Sequence, residues 1–202
     1  MNKLLFIAMI LFSIAITAQE SKAYLAFNVG ASIPGGEIAA EDQANLKTGL
    51  DVNLDFGYRF NEQWGAFLTY GMSANEIDFT EEDFDEPGTT VWRTGYIGIG
   101  PIYAIGLGEN WSWDIRPGYV LAMPTTIDYE GGDLDVDAKG SGWMFGNSFV
   151  MGLSQGFKLA INIDYLSGTY SEYGDGDNAS EPDKSSDGLT RLAIGVGARY
   201  NF

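Results

Sequence analysis

The sequence contains no cysteine and no histidine among its 202 residues. Without cysteine there can be no disulfide, no thiol nucleophile and no thiolate metal site. Without histidine the chain lacks the usual general base of acyl-transfer and hydrolytic enzymes. Chemistry based on carboxylates would remain possible, but no spacing of acidic residues points to it. The sequence therefore predicts a protein that is not an enzyme.

Basic residues are also scarce. The chain has 11 Lys and Arg against 28 Asp and Glu, which gives a formal net charge of −17. A chain this acidic is not expected to bind nucleic acid through phosphate contacts. Proline is rare, with 6 residues, whereas glycine (27), tyrosine (11) and tryptophan (5) are plentiful. This mixture favours many strands rather than helices.

Long hydrophobic runs are absent except at the start of the chain. Lys3 precedes an apolar stretch from Leu4 to Ile16, and the small residues Thr17 and Ala18 follow it. This order is typical of an export signal, and the run is too short for a retained membrane helix. We therefore expect a signal peptide over residues 1–18 and one folded domain over residues 19–202.

The rest of the chain contains eight segments in which apolar residues alternate with small or polar ones, the period of a β-strand. These segments cover residues 23–33, 49–60, 63–74, 90–107, 111–123, 142–153, 157–168 and 191–202. Their connections alternate between three-residue turns ("NEQ", "GEN" and "SQG") and long acidic loops. A three-residue turn pairs apolar residues with apolar ones, for example Phe60 with Trp64 and Met151 with Leu159. The segments therefore predict antiparallel hairpins.

Periodicity alone does not say which face of these strands is outside. A soluble barrel would bury the apolar face, whereas a membrane barrel would turn it toward lipid. Strand length, the alternation of short and long connections, and the polar, compact second face favour the membrane barrel. Aromatic residues at both strand ends predict two interfacial belts, one beside the short turns and one that includes Trp92, Trp143, Tyr165 and Tyr170.

These features resemble the small outer-membrane proteins of the OmpA and OmpX type. The resemblance covers the whole chain after the export signal, and it implies an all-β, eight-stranded antiparallel up-and-down transmembrane barrel in a Gram-negative outer membrane. The C-terminal alternation that ends in Tyr200 and Phe202 is similar to the signal read by the barrel-assembly machinery. The implied partners are therefore that machinery during insertion, the lipid bilayer and lipopolysaccharide, and the expected state is a monomer.

The polar face of the strands predicts what fills the lumen. An eight-stranded barrel is just wide enough for side chains to fill its interior. Because buried charges need partners, we expect a plug of ion pairs and hydrogen bonds. The alternative is a narrow polar path that rearranges to pass small solutes or ions. The predicted lumen residues are Asp51, Asp55, Arg59, Asp114, Arg116, Lys158, Asp164, Arg191 and Arg199.

The long loops carry most of the acidic excess. Their simplest interpretation is a solvated surface, and a sharper hypothesis is loose binding of Ca²⁺ or Mg²⁺, which take several oxygen ligands. The stretch "DGDNASE" offers Asp175, Asp177 and Glu181, although it does not match an EF-hand loop. No other cofactor is expected.

Two prolines lie within predicted strands. With a three-residue turn between the strands, Pro101 and Pro117 are expected to face each other on the lipid side. Proline cannot donate a hydrogen bond to the ladder, so the sequence predicts a weak, kinked patch of wall. Harmless bulges and a lateral opening for an apolar ligand are both compatible with it.

The function expected from the sequence is a structural or surface-interaction role exerted through acidic extracellular loops. A narrow channel for ions or small apolar solutes is the first alternative. A soluble periplasmic ligand-binding barrel is the second.

Overall fold

The structure is a computed structural model that describes residues 22–36, 39–40, 45–77, 90–129, 136–175, 178–180 and 188–202. For residues 127–129, 136–137, 171–175 and 178–180 it describes the backbone. Strands make up nearly all of this part of the chain. Within it no helix has the length and hydropathy needed to cross a membrane. The expected signal peptide lies outside the described residues.

The strands form one closed antiparallel sheet. The eight long strands pair in chain order, and the last of them, Gly188–Asn201, pairs with the first, Ala23–Gly36, to complete the ring. The wall has eight strand positions, so the predicted eight-stranded up-and-down barrel is confirmed. The strands are β1 (Ala23–Gly36), β2 (Gly49–Arg59), β3 (Trp64–Ile77), β4 (Thr90–Gly106), β5 (Trp111–Ala122), β6 (Thr125–Tyr129), β7 (Val136–Gly152), β8 (Phe157–Asp175), β9 (Asn178–Ser180) and β10 (Gly188–Asn201).

Two short strands extend the wall rather than add positions to it. β6 continues β5 after a break at Pro124, and it pairs with the same two neighbours, β4 and β7. Proline has no N–H to donate, which explains the break, but its carbonyl still accepts a hydrogen bond from Gly95 N at 2.8 Å. β9 pairs with residues 173–175 at the end of β8, and the two form a short hairpin.

The three short hairpins have the predicted register. Phe60 N donates to Trp64 O, Leu107 N to Trp111 O, and Leu153 N to Phe157 O. In the first turn the Asn61 side chain accepts hydrogen bonds from Gln63 N at 2.9 Å and Trp64 N at 2.8 Å, as expected for an Asx turn. We call this end of the barrel, where the three short turns lie, the turn end, and the opposite end the loop end.

The apolar row of each of the eight long strands lies on the outside. On the closing strand β10, Ile194, Val196 and Tyr200 are exposed, whereas Arg191 and Arg199 are buried inside. The prediction that the apolar face is external is therefore confirmed. The alternative of a soluble barrel that buries this face in its interior is wrong for this chain.

Asn147 is the one polar residue between Trp143 and Met151 on the outer face of β7. It accepts a hydrogen bond from Trp113 Nε1 at 3.1 Å, and the Trp113 ring stacks on Phe149 with centroids 5.7 Å apart. An indole N–H beside lipid needs such an acceptor. The exception thus has a local partner on the same surface.

Pro101 and Pro117 face outward and interrupt the ladder as predicted. Paired residues of β4 and β5 run up to Ile99 with Tyr119 and resume at Tyr103 with Ile115. Continued at that register, the gap would place the two prolines opposite each other. Both remain paired on their other sides, with Ala66 and Phe145. At the two prolines, β4 and β5 therefore lose hydrogen bonds to each other locally. β4 stays paired with β3 there, and β5 stays paired with β7.

The predicted belt at the loop end needs a correction. Trp143 and Tyr165 are exposed on the outer surface, but Trp92 and Tyr170 are buried inside the lumen. Both have even numbers on strands whose lipid-facing residues are odd. The period of two therefore places them inside, and their aromatic character alone was a misleading guide.

Candidate functional site

Four aspartates and four arginines are buried or nearly buried within the lumen, in three groups at different heights. The group nearest the turn end is centred on Asp114, whose side chain is fully buried. One carboxylate oxygen accepts from Arg59 Nη2 at 2.6 Å, and the other accepts from Arg199 Nη2 at 2.7 Å. A single aspartate thus holds two arginines from β2 and β10.

The middle group has the opposite composition. Arg116 donates to Asp55 Oδ2 at 2.5 Å through Nη1 and to Asp164 Oδ1 at 2.8 Å through Nη2. Its side chain is 2% exposed, so both ion pairs lie out of water. The arginine fork comes from β5, and the carboxylates come from β2 and β8. The group therefore ties three strands together across the lumen.

The third group lies toward the loop end. Arg191 Nη1 is 2.8 Å from Asp51 Oδ2, and both side chains are almost fully buried. The Arg191 guanidinium also lies 4.2 Å from the centroid of the Tyr96 ring. Gly71 makes room for that ring, because a Cβ there would overlap it. A charge, its counter-ion and an aromatic face thus fill this level of the lumen.

Amide side chains complete the hydrogen bonding between the groups. Asn28 donates to Asn53 Oδ1 at 2.5 Å and to Asp55 Oδ2 at 3.0 Å. Asn162 donates to Asn28 Oδ1 at 2.8 Å and accepts from Ser148 at 2.6 Å. The void among these residues is about 10 Å³, close to the volume needed for one water molecule. We call the three ionic groups and these amides the ionic network.

Arginine stacking recurs at the other two levels. The Arg199 guanidinium lies 3.7 Å from the Tyr24 ring centroid, and that of Arg116 lies 5.7 Å from the Phe67 ring centroid. Guanidinium is weakly hydrated and suits such contacts better than an ammonium does. Each deeply buried arginine therefore has both a carboxylate and an aromatic face.

An apolar cluster occupies the rest of the lumen, and the sequence analysis missed it. It consists of Phe67, Trp92, Tyr96, Ile102, Val120, Met123, Met144, Leu166, Tyr170 and Leu189, all buried. Phe67 and Ile102 lie beside the ionic network, whereas Trp92 and Tyr170 lie near the loop end. Strand parity is a sufficient signal for these positions except Met123, which parity would place outside and which the irregular register near the end of β5 brings inside.

A small hydrogen-bonded group satisfies the polar atoms within this cluster. Trp92 Nε1 donates to Thr94 Oγ1 at 3.0 Å, and Thr125 Oγ1 donates to Thr94 Oγ1 at 3.1 Å. Thr125 Oγ1 also lies 2.9 Å from the Tyr170 hydroxyl. The loop end of the lumen is therefore filled by aromatic rings whose polar atoms are paired.

The structure brings together eight of the nine predicted lumen residues. Asp51, Asp55, Asp114 and Asp164 balance Arg59, Arg116, Arg191 and Arg199 in charge. Lys158 stands apart: it is half-buried at the turn end, and it makes no ion pair or hydrogen bond with another described residue.

The turn end opens into a cavity of about 820 Å³, which we call the vestibule. Its lining includes Lys22, Arg59, Lys158 and Arg199, with Glu62 as its acidic member. Above it the lumen is closed by the ionic network and the apolar cluster. No group of three or more acidic side chains arranged to hold a metal lies within the described part of the chain.

The remaining predicted site residues lie at the surface or beyond the described side chains. Tyr200 is exposed on the outer face, and its ring stacks on Phe202 with centroids 6.3 Å apart. For Asp175 the structure describes the backbone, and Asp177 and Glu181 lie outside the described residues. The proposed cation site therefore stays a prediction.

A closed barrel with an apolar exterior and a charge-balanced, filled interior defines a transmembrane barrel of the outer membrane. The chain matches the family model described as "Outer membrane protein beta-barrel domain" over residues 4–202. The chain belongs to this family, and the protein resides in the outer membrane.

Solved structures of similar fold support this assignment. The chain is similar to Neisserial surface protein A, with a TM-score of 0.64 and 12% identity over 89% of this chain and 97% of that one. It is similar to Ail of Yersinia pestis, with a TM-score of 0.51 and 12% identity over 88% and 97% of the two chains. It is also similar to a major outer membrane protein of Thermus thermophilus, with a TM-score of 0.51 and 14% identity over 89% and 99%. No curated protein matches the sequence.

Proposed function

We propose that this protein is a non-enzymatic outer-membrane component with a structural or surface-interaction role, in which the barrel is a closed stem and the loops make the contacts. The observation that carries the proposal is the filled lumen, where ion pairs, amides and aromatic rings occupy successive levels. Because side chains fill the lumen, we expect the loops rather than the interior to contact other molecules. The absence of histidine and cysteine supports a non-catalytic role.

The charge of the loops indicates the kind of partner. The long connections include "TEEDFDE" and "DYEGGDLDVD", so they favour cations or cationic groups. Ail has been crystallised with the heparin analogue sucrose octasulfate, a polyanion. The acidic loops of this chain would repel such a ligand. We infer that divalent cations bound at the loops bridge them to lipopolysaccharide phosphates.

Calorimetric titration of Ca²⁺ into the refolded protein tests this role. The matched variant replaces Asp175, Asp177 and Glu181 by Asn, Asn and Gln, and the control replaces Glu62 and Glu109, in the short turns at the opposite end of the barrel, by Gln. The proposal expects Ca²⁺ uptake that the first variant loses and the control retains. Absence of uptake by the native protein would contradict it.

A narrow channel is the competing function, and the vestibule is the observation that favours it, because it already extends the aqueous phase into the barrel. Conduction would then require Arg116 and the apolar cluster to move. Planar-bilayer recording separates the two functions. The closed stem predicts a silent bilayer, and reproducible unitary events from the native protein would establish the channel instead.

The closing strand supports a proposal about assembly. Tyr200 and Phe202 form a stacked pair at the turn end, in keeping with a signal for the barrel-assembly machinery. We expect Tyr200→Ala with Phe202→Ala to reduce the heat-modifiable, folded form in cells, whereas Val196→Ala on the same face leaves it unchanged. The folded form is expected to migrate as a monomer in mild detergent.

A further inference from the structure

The cavity at the turn end is lined mainly by cationic side chains, in a protein whose formal net charge is −17. The vestibule of about 820 Å³ is lined by two arginines and two lysines, with Glu62 as the acidic member. The proposed role of the loops does not use this surface. Its sign is opposite to that of the loops, so its partner is expected to be anionic.

The floor of the vestibule contains more cations than its carboxylate can neutralise. Asp114 is shared between Arg59 at 2.6 Å and Arg199 at 2.7 Å. Lys158 lies directly opposite Arg199 in the register of β8 and β10, yet its ammonium has no counter-ion among the described residues. Among the described residues three cations thus converge on one buried carboxylate, Asp114, while Glu62 and Glu109 lie in the surrounding turns.

Some of the donors in this floor are buried and unpaired. The side chains of Arg199 and Arg59 are 4% and 16% exposed. Arg199 Nε and Arg59 Nη1 are shielded from solvent and have no hydrogen-bond partner within the described chain. A buried donor without an acceptor is costly. An oxyanion that entered the floor, with a small shift of these side chains, would supply the missing acceptor oxygens and negative charge.

We propose that the vestibule binds a small, doubly charged oxyanion, with phosphate as the recognised group, either as inorganic phosphate or as a phosphomonoester. Arginine offers a planar fork of donors to phosphate oxygens, and lysine adds a point charge. A cavity of this size accommodates a small organic phosphate as well as the bare ion. Short turns lie on the periplasmic side in outer-membrane barrels, so the site opens to the periplasm.

Lys158 is the residue that tests the site, because it belongs to no ion pair among the described residues whose loss would unfold the barrel. Isothermal titration of inorganic phosphate, and of glycerol 3-phosphate, is performed on the refolded protein in a zwitterionic detergent free of phosphate. Loss of a charged hydrogen-bond donor predicts at least about tenfold weaker binding for Lys158→Gln. The Lys158→Arg variant, which keeps the charge, is expected to restore binding. Heat-dependent gel mobility shows that each variant is folded.

Lys47→Gln is the matched control, since it removes one lysine near the loop end. It is expected to bind phosphate like the native protein. Sulfate is expected to compete, and chloride at equal ionic strength is not. The proposal is overturned if the native protein takes up no phosphate at millimolar concentration, or if Lys158→Gln and Lys47→Gln weaken binding equally.

A lipid phosphate could supply the same chemistry at the rim of the vestibule. The titration is therefore repeated in vesicles of phosphatidylcholine and in vesicles that also contain phosphatidic acid, whose headgroup is a phosphomonoester. Equal phosphate binding in both identifies a free anion as the ligand. Weaker apparent phosphate binding by the native protein in the vesicles that contain phosphatidic acid identifies the lipid headgroup as the occupant of the same site.

Discussion

The ionic network and the apolar cluster fill one lumen by different physical means. The ionic network depends on direction and charge, because each guanidinium must meet a carboxylate at hydrogen-bond distance. The apolar cluster depends mainly on volume, because side chains such as Ile102, Val120 and Met144 fill the space by packing. The two regions therefore differ in which substitution they tolerate. The network is sensitive to a lost charge, and the cluster is sensitive to a lost methyl group.

Removing Arg116 should have the largest effect. Arg116→Met keeps much of the volume but leaves Asp55 and Asp164 buried without a counter-ion. Breaking such a group costs about 3–5 kcal/mol. Urea unfolding in lipid vesicles measures the loss. Lys22→Met, at an exposed position, is the control and should change stability by less than about 0.5 kcal/mol.

A triple variant sharpens this prediction. Replacing Asp55 and Asp164 by Asn in the Arg116→Met background removes the uncompensated charges, so most of the lost stability should return. If the triple variant is no more stable than Arg116→Met, lost packing rather than lost charge accounts for the effect.

Truncation within the apolar cluster should cost somewhat less and should scale with volume. Ile102 is fully buried. We expect Ile102→Ala to lose about 2–5 kcal/mol and Ile102→Val about 0.5–1.5 kcal/mol in the same unfolding assay. Ile99 points to lipid from the same strand. Lipid can fill the gap there, so Ile99→Ala should cost clearly less than Ile102→Ala, and equal losses would contradict a packed lumen.

The hydroxyl group of Thr125 tests the polar atoms inside the apolar cluster. Thr125→Val keeps the shape but leaves the partners at Thr94 and Tyr170 without that hydrogen bond. The expected loss is about 1–3 kcal/mol, the cost of an unsatisfied buried group. Thr126→Val changes an exposed neighbour and should be close to neutral. A neutral Thr125→Val would mean that these hydrogen bonds do not hold the loop end together.

The smallest effect is expected on the outer surface. Trp113→Phe removes the hydrogen bond to Asn147 while keeping an aromatic ring beside Phe149. We expect a loss of about 0.5–1.5 kcal/mol. The double variant with Asn147→Leu should recover it, because no polar atom is then left facing lipid. Trp111→Phe serves as the control for loss of a belt tryptophan.

The two lumen regions also differ in how well the sequence predicts them. Charged side chains at alternate positions of β2, β5, β8 and β10 indicated an ionic interior. Trp92 and Tyr170 were assigned to the lipid interface because aromatic residues are common there, although their strand parity pointed inward. An aromatic side chain can face either the lipid or the lumen, so its residue type does not fix its location. Its position in the two-residue period of the strand does.

The sequence by itself determined the eight period-two segments, the three short turns and the register of the three hairpins that those turns join. These features follow from local periodicity and turn length, which are properties of neighbouring residues. Only the tertiary structure decided which arginine meets which aspartate, that aromatic rings fill the loop end, and that Lys158 is left without a counter-ion among the described residues. Those pairings depend on how far each side chain reaches across the closed barrel, between residues separated by up to 134 positions in the case of Asn28 and Asn162.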